Sequence, residues 1–251
     1  MTVKIIFLCI GGFIAAFVDS IAGGGGIISL PVFLMSGIPP HLALGTNKFS
    51  SSCASFTSSI KFAQSDKVDF KILKFLIPFT LVGSIIGTHT VLNISVKYLN
   101  TIVFVLLLIV STYSIFSKTV GMEDKFKELN KKSIFLGILL AFGLGFYDGF
   151  FGPGTGSFLI FGLIYIFKFD FVRAAGNGKV LNFISNISSL MVFVINGQIN
   201  YTFGIPVAIS MVIGARVGTK AALAKGVKLI KPIFIVMSLG LAVKVFYGII
   251  K

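Results

Sequence analysis

Four ionisable side chains lie in otherwise apolar parts of the sequence, namely Asp19, Lys48, Asp148 and Lys179. If these parts span a membrane, each charge costs at least ~2.5–3.5 kcal/mol and must face a cavity or another charge. The lysines could bind an anion, with the two aspartates as charge partners or proton carriers. The alternative is two structural Asp–Lys pairs, one in each half of the chain. Both interpretations can hold, because an arriving anion could compete with an aspartate for its lysine.

Two glycine-rich segments follow the aspartates, at residues 23–26 and 152–156. Inside a membrane, such helix breaks occur only where the backbone is buried in protein or lines a cavity. A helix that begins after each break directs unpaired N–H groups and a positive dipole end toward it. Two facing breaks would bind an anion, although the glycines could instead serve close helix packing. The anion ligands predicted at the breaks are Gly24, Gly25, Gly26, Gly154, Thr155 and Gly156.

A stripe of polar side chains follows each lysine at helical spacing. Serine hydroxyls and asparagine amides can donate hydrogen bonds to an oxyanion, and their alternative role is hydrogen bonding between helices. The stripes contain Ser51, Ser52, Ser55 and Ser59 after Lys48, and Asn182, Asn186 and Ser189 after Lys179. The ligands predicted from this pattern are Asn47, Lys48, Ser51, Lys179, Asn182 and Asn186.

The composition is that of a polytopic helical membrane protein. Of 251 residues, 55% are hydrophobic and 12% are charged, about half the charge of a soluble domain, and the mean hydropathy is +1.00. These values exclude disordered and ordinary globular proteins. The net charge of +14 fits the excess of Lys and Arg in cytoplasmic loops. Nucleic-acid binding is not expected, because the chain has no basic helix or RNA-binding motif.

The sequence offers no constellation for catalysis or metal binding. Cys9 and Cys53 have no second cysteine or histidine at ligand spacing. His41 and His89 lie away from the four charges in the sequence. We therefore expect neither an enzyme nor a bound metal or cofactor.

The two halves of the chain repeat each other. Asp19 and Asp148 are 129 positions apart (148 minus 19), and Lys48 and Lys179 are 131 apart (179 minus 48). The basic residues, however, concentrate in loops that are not equivalent, which predicts two repeats of opposite orientation in the membrane. In this topology both termini are outside, and the cytoplasmic segments are 61–74, 117–132, 168–173 and 216–231.

The fold predicted from this pattern is an all-α polytopic membrane protein with an inverted-topology repeat. Residues 1–116 form the first repeat, 117–132 a cytoplasmic linker and 133–251 the second repeat. Each half contains a broken-helix hairpin of two short helices, which enters and leaves on one face, and then three transmembrane helices. Residues 1–22 could instead be a cleaved signal peptide, but their copy around Asp148 argues against this alternative.

Four segments resemble the TauE/SafE (sulfite exporter, TSUP) family. They are DSIAGGGG at 19–26, TNK at 46–48, GFYDGFFGPGTG at 145–156 and KVLNFISN at 179–186. The resemblance covers essentially the whole chain and is nearest to the broad branch of bacterial inner-membrane permeases. It implies transport of small sulfur-containing anions such as sulfite, sulfoacetate or thiosulfate across the inner membrane.

We therefore expect a secondary transporter of small anions that works by alternating access. Its expected partners are a small anionic substrate, membrane lipid and, as a candidate coupling ion, the proton. A homo-oligomer is also compatible with the sequence. The alternatives are an anion channel, a permease for another small carboxylate or anion, a membrane-embedded enzyme and a structural membrane subunit.

Overall fold

A computed structural model describes residues 2–95, 97, 98, 124–126 and 128–225. Within these residues every regular element is an α-helix, and the predicted all-α membrane fold is confirmed. The last predicted transmembrane helix of each half, apart from residues 97 and 98, and much of the linker 117–132 lie outside the described residues. The helices are α1 (Thr2–Ala22), α2 (Gly26–Met35), α3 (Pro40–Ala63), α4 (Phe70–Leu92), α5 (Lys131–Phe150), α6 (Thr155–Phe167), α7 (Phe171–Ile195) and α8 (Tyr201–Lys225).

Five of the described helices, α1, α4, α5, α7 and α8, are long and apolar enough to cross a membrane. The polar helix α3 has 24 residues, about 36 Å of helix, which also suffices for a crossing. α2 and α6 have only 10 and 13 residues, fewer than the ~20 that a full crossing needs. The order of long and short helices from α1 to α4 is the same as the order from α5 to α8.

The two hairpins differ from the prediction in their first arms. α2 and α6 are short as predicted, but α1 and α5 have 21 and 20 residues, so the expectation of two short helices is wrong for the first arm. The reason is that the polar residues near each break have partners and do not end the helix. Ser20, for example, donates its hydroxyl proton to Ala16 O at 2.8 Å, and α1 ends only at the glycines.

The loops gather at two ends of the helix bundle. At the end that we name the Arg173 end (residues 64–69, 124–126, 128–130 and 168–173), Arg173 binds Asp69 at 2.8 Å and Asp124 at 2.9 Å. At the His41 end (residues 36–41, 91–94 and 196–200), His41 Nε2 lies 3.1 Å from Val91 O. The charge pattern predicts the same two groups of loops; the side of the membrane on which each lies stays a prediction.

Equivalent helices run in opposite directions between these ends. α3 begins at the His41 end and leads to the Arg173 end, whereas α7 begins at the Arg173 end and leads back. The hairpins are also opposed. Lys4 Nζ, near the start of α1, donates to Ser36 O after α2 at 3.2 Å, so the first hairpin opens at the His41 end. The second opens at the Arg173 end, where Lys125 N donates to Lys168 O after α6 at 2.8 Å.

Each hairpin packs against the other half of the chain through glycines that allow backbone contact. A Cβ atom on Gly83 of α4 would lie 2.4 Å from Phe142 O of α5. A Cβ atom on Gly214 of α8 would lie 2.4 Å from Phe13 O of α1. Gly87 and Gly218 make the equivalent approaches to Phe146 O and Phe17 O. These glycines therefore serve close helix packing, and the two halves are interlocked.

A first prediction concerns the orientation of the bundle. In a chain with Cys9→Ser and Cys53→Ser, we place single cysteines at Lys125 of the Arg173 end and Asn196 of the His41 end, both exposed. Because basic residues accumulate on the cytoplasmic side, a membrane-impermeant maleimide should label Lys125→Cys only after cell lysis and Asn196→Cys in intact cells. Labelling of Lys125→Cys in intact cells would contradict the predicted topology.

Candidate functional site

The four buried charges form two ion pairs that cross between the halves of the chain. Lys48 Nζ lies 3.0 Å from Asp148 Oδ2, and Lys179 Nζ lies 2.5 Å from Asp19 Oδ2. The predicted pairing within each half, Asp19 with Lys48 and Asp148 with Lys179, is wrong. The physical reason is the interlocked packing, because the hairpin that carries each aspartate inserts beside the polar helix of the other half.

The Lys48–Asp148 pair is enclosed by further polar contacts. Lys48 Nζ also donates to Asn186 Oδ1 at 3.0 Å, and the Ser185 hydroxyl donates to Asp148 Oδ2. The two side chains are only 4% and 3% exposed. A lysine ammonium has three N–H donors, and the bonds to Asp148 and Asn186 account for two.

The Lys179–Asp19 pair lies at the N-terminus of the short helix α2. Asp19 Oδ1 accepts the backbone N–H of Gly25, the N-cap residue of α2, at 3.0 Å, and Asp19 Oδ2 accepts the lysine. A carboxylate at this position is stabilised by the positive end of the helix dipole. Lys179 is 2% exposed, but Asp19 is 22% exposed, so the two pairs differ in their access to solvent.

The two glycine breaks are in direct contact, as the sequence predicts. A Cβ atom on Gly23 would lie 2.3 Å from Ser157 N, and one on Gly26 would lie 3.1 Å from Pro153 Cα. The Ser157 hydroxyl donates across the contact to Ala22 O at 3.0 Å. The turns also need left-handed backbone, which glycine adopts without strain, at Gly23, Gly24, Gly152 and Gly154.

A small cavity of about 30 Å³ lies where the breaks meet the polar helices. Of the predicted site residues, those that line it are Asp19, Gly24, Gly25, Gly26, Asn47, Lys48, Ser51, Asp148, Gly154, Gly156, Asn182 and Asn186. Two predicted ligands are not in the lining. Lys179 lies behind Asp19, and Thr155 directs its hydroxyl to Gly152 O at 2.7 Å within the turn. The Thr155 hydroxyl is thus not directed into the cavity in this conformation, and Thr155 as a ligand stays a prediction.

Sequence reasoning missed several residues of the cavity. Gly152, Ala16, Ala54 and Met211 line it, and Ser185 binds Asp148. Gly152 could have been found, since it belongs to the second break. The helical spacing of the stripe could have included Ser185, which lies three residues after Asn182. Ala16, Ala54 and Met211 carry no chemical signal in the sequence, because their contribution is shape.

Two of the four serines in the stripe after Lys48 donate hydrogen bonds to the backbone of their own helix. The hydroxyls of Ser52 and Ser55 donate to Lys48 O and Ser51 O at 2.7 Å, the common back-bonding of serine in apolar helices. Ser51 is the stripe serine of α3 that lines the cavity. Buried side-chain oxygens without a hydrogen-bond partner among the described residues include those of Asn47, Ser59 and Ser189.

The chemistry of the site is that of charge and hydrogen bonding. Among the described residues, no group of three or more His, Cys, Asp and Glu side chains could hold a metal ion. One ammonium group, two carboxylates, two helix N-termini and several amides line one small cavity, and the ammonium group of Lys179 lies behind Asp19. Such a set can bind an anion, provided that the existing ion pairs rearrange.

Comparison with known proteins decides the family. The model of the family described as "Sulfite exporter TauE/SafE" matches residues 8–245. The chain belongs to the sulfite exporter TauE/SafE family. Its resemblance to this family in the four segments around the two aspartates and two lysines is thereby confirmed, and it is a membrane transporter of this family.

Several relatives within the TauE/SafE family cover nearly the whole chain. A "Probable membrane transporter protein" of Haemophilus influenzae is 36% identical over 96% of this chain and 94% of its own length. A "Probable membrane transporter protein ORF9" of Sinorhizobium is 34% identical over 95% and 90%. The "Probable membrane transporter protein YfcA" of Escherichia coli is 33% identical over 93% and 86%. No solved structure matches the chain.

The crossed pairing gives a second prediction. Lys48→Gln should lower the free energy of unfolding by about 3–5 kcal/mol, because it leaves the Asp148 charge buried without a partner. Adding Asp148→Asn should recover most of this loss, whereas adding Asp19→Asn should not, since Lys179 then also loses its partner. Unfolding curves of the purified variants measure the difference, and equal recovery in both double variants would contradict the crossed pairs.

A third prediction concerns the packing of the first break. A Cβ atom on Gly25 would lie 2.5 Å from both Ala15 O and Asp19 Cβ, which is closer than a real Cβ atom can approach. Gly25→Ala should separate α1 from α2 and lower the melting temperature. Gly143→Ala is the control, because no atom lies within 4 Å of its added Cβ. An equal melting temperature in the two variants would contradict this packing.

Proposed function

We propose that the chain is a secondary transporter of small anions, of the sulfur oxyanion or organosulfonate type, that works by alternating access. The observation that carries this proposal is the meeting of two helix breaks and two buried, crossed Lys–Asp pairs in one cavity. Buried ion pairs contribute little net stability compared with apolar residues of similar volume. Charges that are costly to bury therefore favour a function over a purely structural role.

The anion position that fits best lies between Lys48 and the N-terminus of α2. Lys48 lines the cavity with its third N–H donor unassigned, and Ser51 and Asn182 offer further donors within the same lining. The dipole end of α2 adds a partial positive charge. A sulfonate or sulfite group, with three oxygens around sulfur, can use such convergent donors at the same time.

The small volume of the cavity supports a closed conformation in the transport cycle. By the same measure a water molecule needs about 10–15 Å³, so 30 Å³ accommodates about two waters and is too small for a sulfonate. The loops close on the polar helices at both ends. The backbone of residues 64–69 approaches Gly176 of α7, and that of residues 196–200 approaches Gly45 of α3.

The opposed directions of α3 and α7 support the inverted repeat and with it the alternating access. In such a repeat, a rearrangement that opens one end of the molecule has a counterpart that opens the other. We propose that the Arg173 end is cytoplasmic, that the termini are outside and that the protein lies in the inner membrane. A membrane potential that is negative inside favours exit of a monoanion that moves alone by ~2.3 kcal/mol per 100 mV.

Two other functions use the same residues. An anion channel would have the same pore without closure at both ends. A permease for another small carboxylate or anion would bind that anion at Lys48. The closed loops favour the carrier over the channel. The description of the family as sulfite exporters favours sulfur anions over carboxylates.

A fourth prediction tests this function by binding. The melting temperature of the purified protein should rise with sulfite, thiosulfate or methanesulfonate more than with acetate; a ligand at a hundred times its dissociation constant stabilises by about 2.7 kcal/mol. Lys48→Gln with Asp148→Asn should remain folded but lose about ten- to a hundredfold in affinity, because one charge-assisted contact is absent. Absence of any shift with all three sulfur anions would contradict the proposed substrate class.

Flux in proteoliposomes separates the carrier from the channel. Labelled anion should accumulate transiently against unlabelled anion on the opposite side, since a carrier exchanges one bound anion for another. Flux that does not saturate and shows no such counterflow would favour the channel. An Asp66→Asn variant is the matched control, because Asp66 is exposed in the loop at the Arg173 end, away from the cavity.

A further inference from the structure

The carboxylate of Asp19 occupies the kind of position that a bound anion would take. Its two oxygens accept the N–H of Gly25 at the N-terminus of α2 and the ammonium of Lys179. A helix N-terminus together with a lysine is the ordinary donor set for an external oxyanion. In this structure an internal carboxylate uses both donors.

Asp19 also separates Lys179 from the cavity. Asp19 lines the cavity, Lys179 does not, and Lys179 is 2% exposed. An anion that enters the cavity can reach Lys179 only where the Asp19 carboxylate now lies. Repulsion between two negative charges opposes this approach as long as Asp19 is ionised.

Asp148, the equivalent carboxylate in the second half, differs in its surroundings. It is 3% exposed, against 22% for Asp19, and accepts from the Ser185 hydroxyl as well as from Lys48. Ala54 occupies the position in the first half that corresponds to Ser185 (185 minus 131), so Asp19 has no such partner there. Protons from the cavity therefore have readier access to Asp19 than to Asp148.

A further side chain in the cavity indicates that a ligand belongs there. Asn47 lines the cavity, is 7% exposed, and its Oδ1 has no hydrogen-bond partner among the described residues. Buried polar atoms without partners are uncommon and costly. The atom without a partner is an acceptor, so Asn47 would bind an anion only after the amide turns and presents its N–H₂ group.

The charge balance of the site makes anion binding and proton binding interdependent. Two lysines and two aspartates give the cavity no net charge when all four are ionised. A bound monoanion would leave one uncompensated negative charge in a buried site, which is strongly unfavourable. A proton on Asp19 restores neutrality and at the same time releases Lys179 and Gly25 N–H for the anion.

We propose that Asp19 is an internal substitute for the transported anion, and that each monoanion binds together with one proton, which Asp19 takes up. This inference rests on the proposed function. The proton enters from the side to which the cavity is open, converts the carboxylate to a carboxylic acid and leaves with the anion on the other side. Transport of a monoanion is then electroneutral and can proceed inward against a negative membrane potential.

The other charged groups around Asp19 are few among the described residues. Lys179 of α7 contacts it, and Lys48 and Asp148 line the same cavity from α3 and α5. α2 carries no ionisable side chain, and α6 carries only the exposed Tyr165. Arg216 and Lys220 of α8 are exposed. The attraction between Lys179 and the Asp19 carboxylate therefore opposes protonation of Asp19. An approaching anion weakens this attraction.

The experiment counts the protons taken up when methanesulfonate binds. This monoanion does not titrate in the neutral range, so any proton taken up belongs to the protein. Calorimetric titration of the full chain in two buffers with different ionisation enthalpies should give close to one proton per anion. The affinity should fall by about tenfold for each pH unit above the range in which Asp19 is protonated.

Asp19→Asn is the decisive variant, because asparagine has nearly the shape of the protonated aspartic acid. It should bind methanesulfonate without proton uptake and with an affinity that does not change with pH. The control Asp66→Asn should keep the proton uptake of the wild type, because Asp66 is exposed in a loop away from the cavity. If Asp19→Asn does not fold, the proton count of the wild type and of Asp66→Asn still decides whether uptake occurs.

The possible outcomes separate this inference from the proposed function. Methanesulfonate binding by the wild type without proton uptake overturns the inference and leaves the proposed function intact. Persistence of the uptake in Asp19→Asn also overturns the inference. Absence of methanesulfonate binding overturns the inference as well, and it overturns the proposed function if sulfite and thiosulfate also fail to bind.

Discussion

The pairing of buried charges is the constraint on which the structure depends. An ammonium group inside a membrane protein needs a carboxylate beside it, and here that carboxylate comes from the opposite half of the chain. Lys48 binds Asp148 and Lys179 binds Asp19, so neither half satisfies its own charges. The glycine contacts between α4 and α5 and between α1 and α8 bring the hairpins close enough for both pairs to form.

This arrangement places the candidate site on the boundary between the two halves. Every movement of one hairpin relative to the other half changes the distance between a lysine and its aspartate. An anion that competes for a lysine therefore acts directly on the contacts that hold the halves together. In the transport cycle that we propose, the site would link substrate binding to the rearrangement between its two open states without a separate element to transmit the signal.

Much of the fold and of the candidate site could be predicted from the sequence. The composition indicates a helical membrane protein, and the repeated motifs contain most of the residues that line the cavity. The polar helix α3, the contact of the two breaks and most of the cavity lining follow from local spacing. The crossed pairs could not be predicted, since spacing within one half says nothing about which half supplies the partner. The position of Lys179 behind Asp19 and the inward turn of the Thr155 hydroxyl depend on tertiary packing.

Location of a bound sulfonate tests the central claim most directly. In crystals of the protein with iodomethanesulfonate, the anomalous signal of iodine identifies the anion without ambiguity. The account predicts the iodine in the cavity between the two breaks, with sulfonate oxygens within hydrogen-bond distance of Lys48 Nζ and the N-terminus of α2. An ordered anion elsewhere, with both Lys–Asp pairs intact and the cavity unchanged, would contradict it.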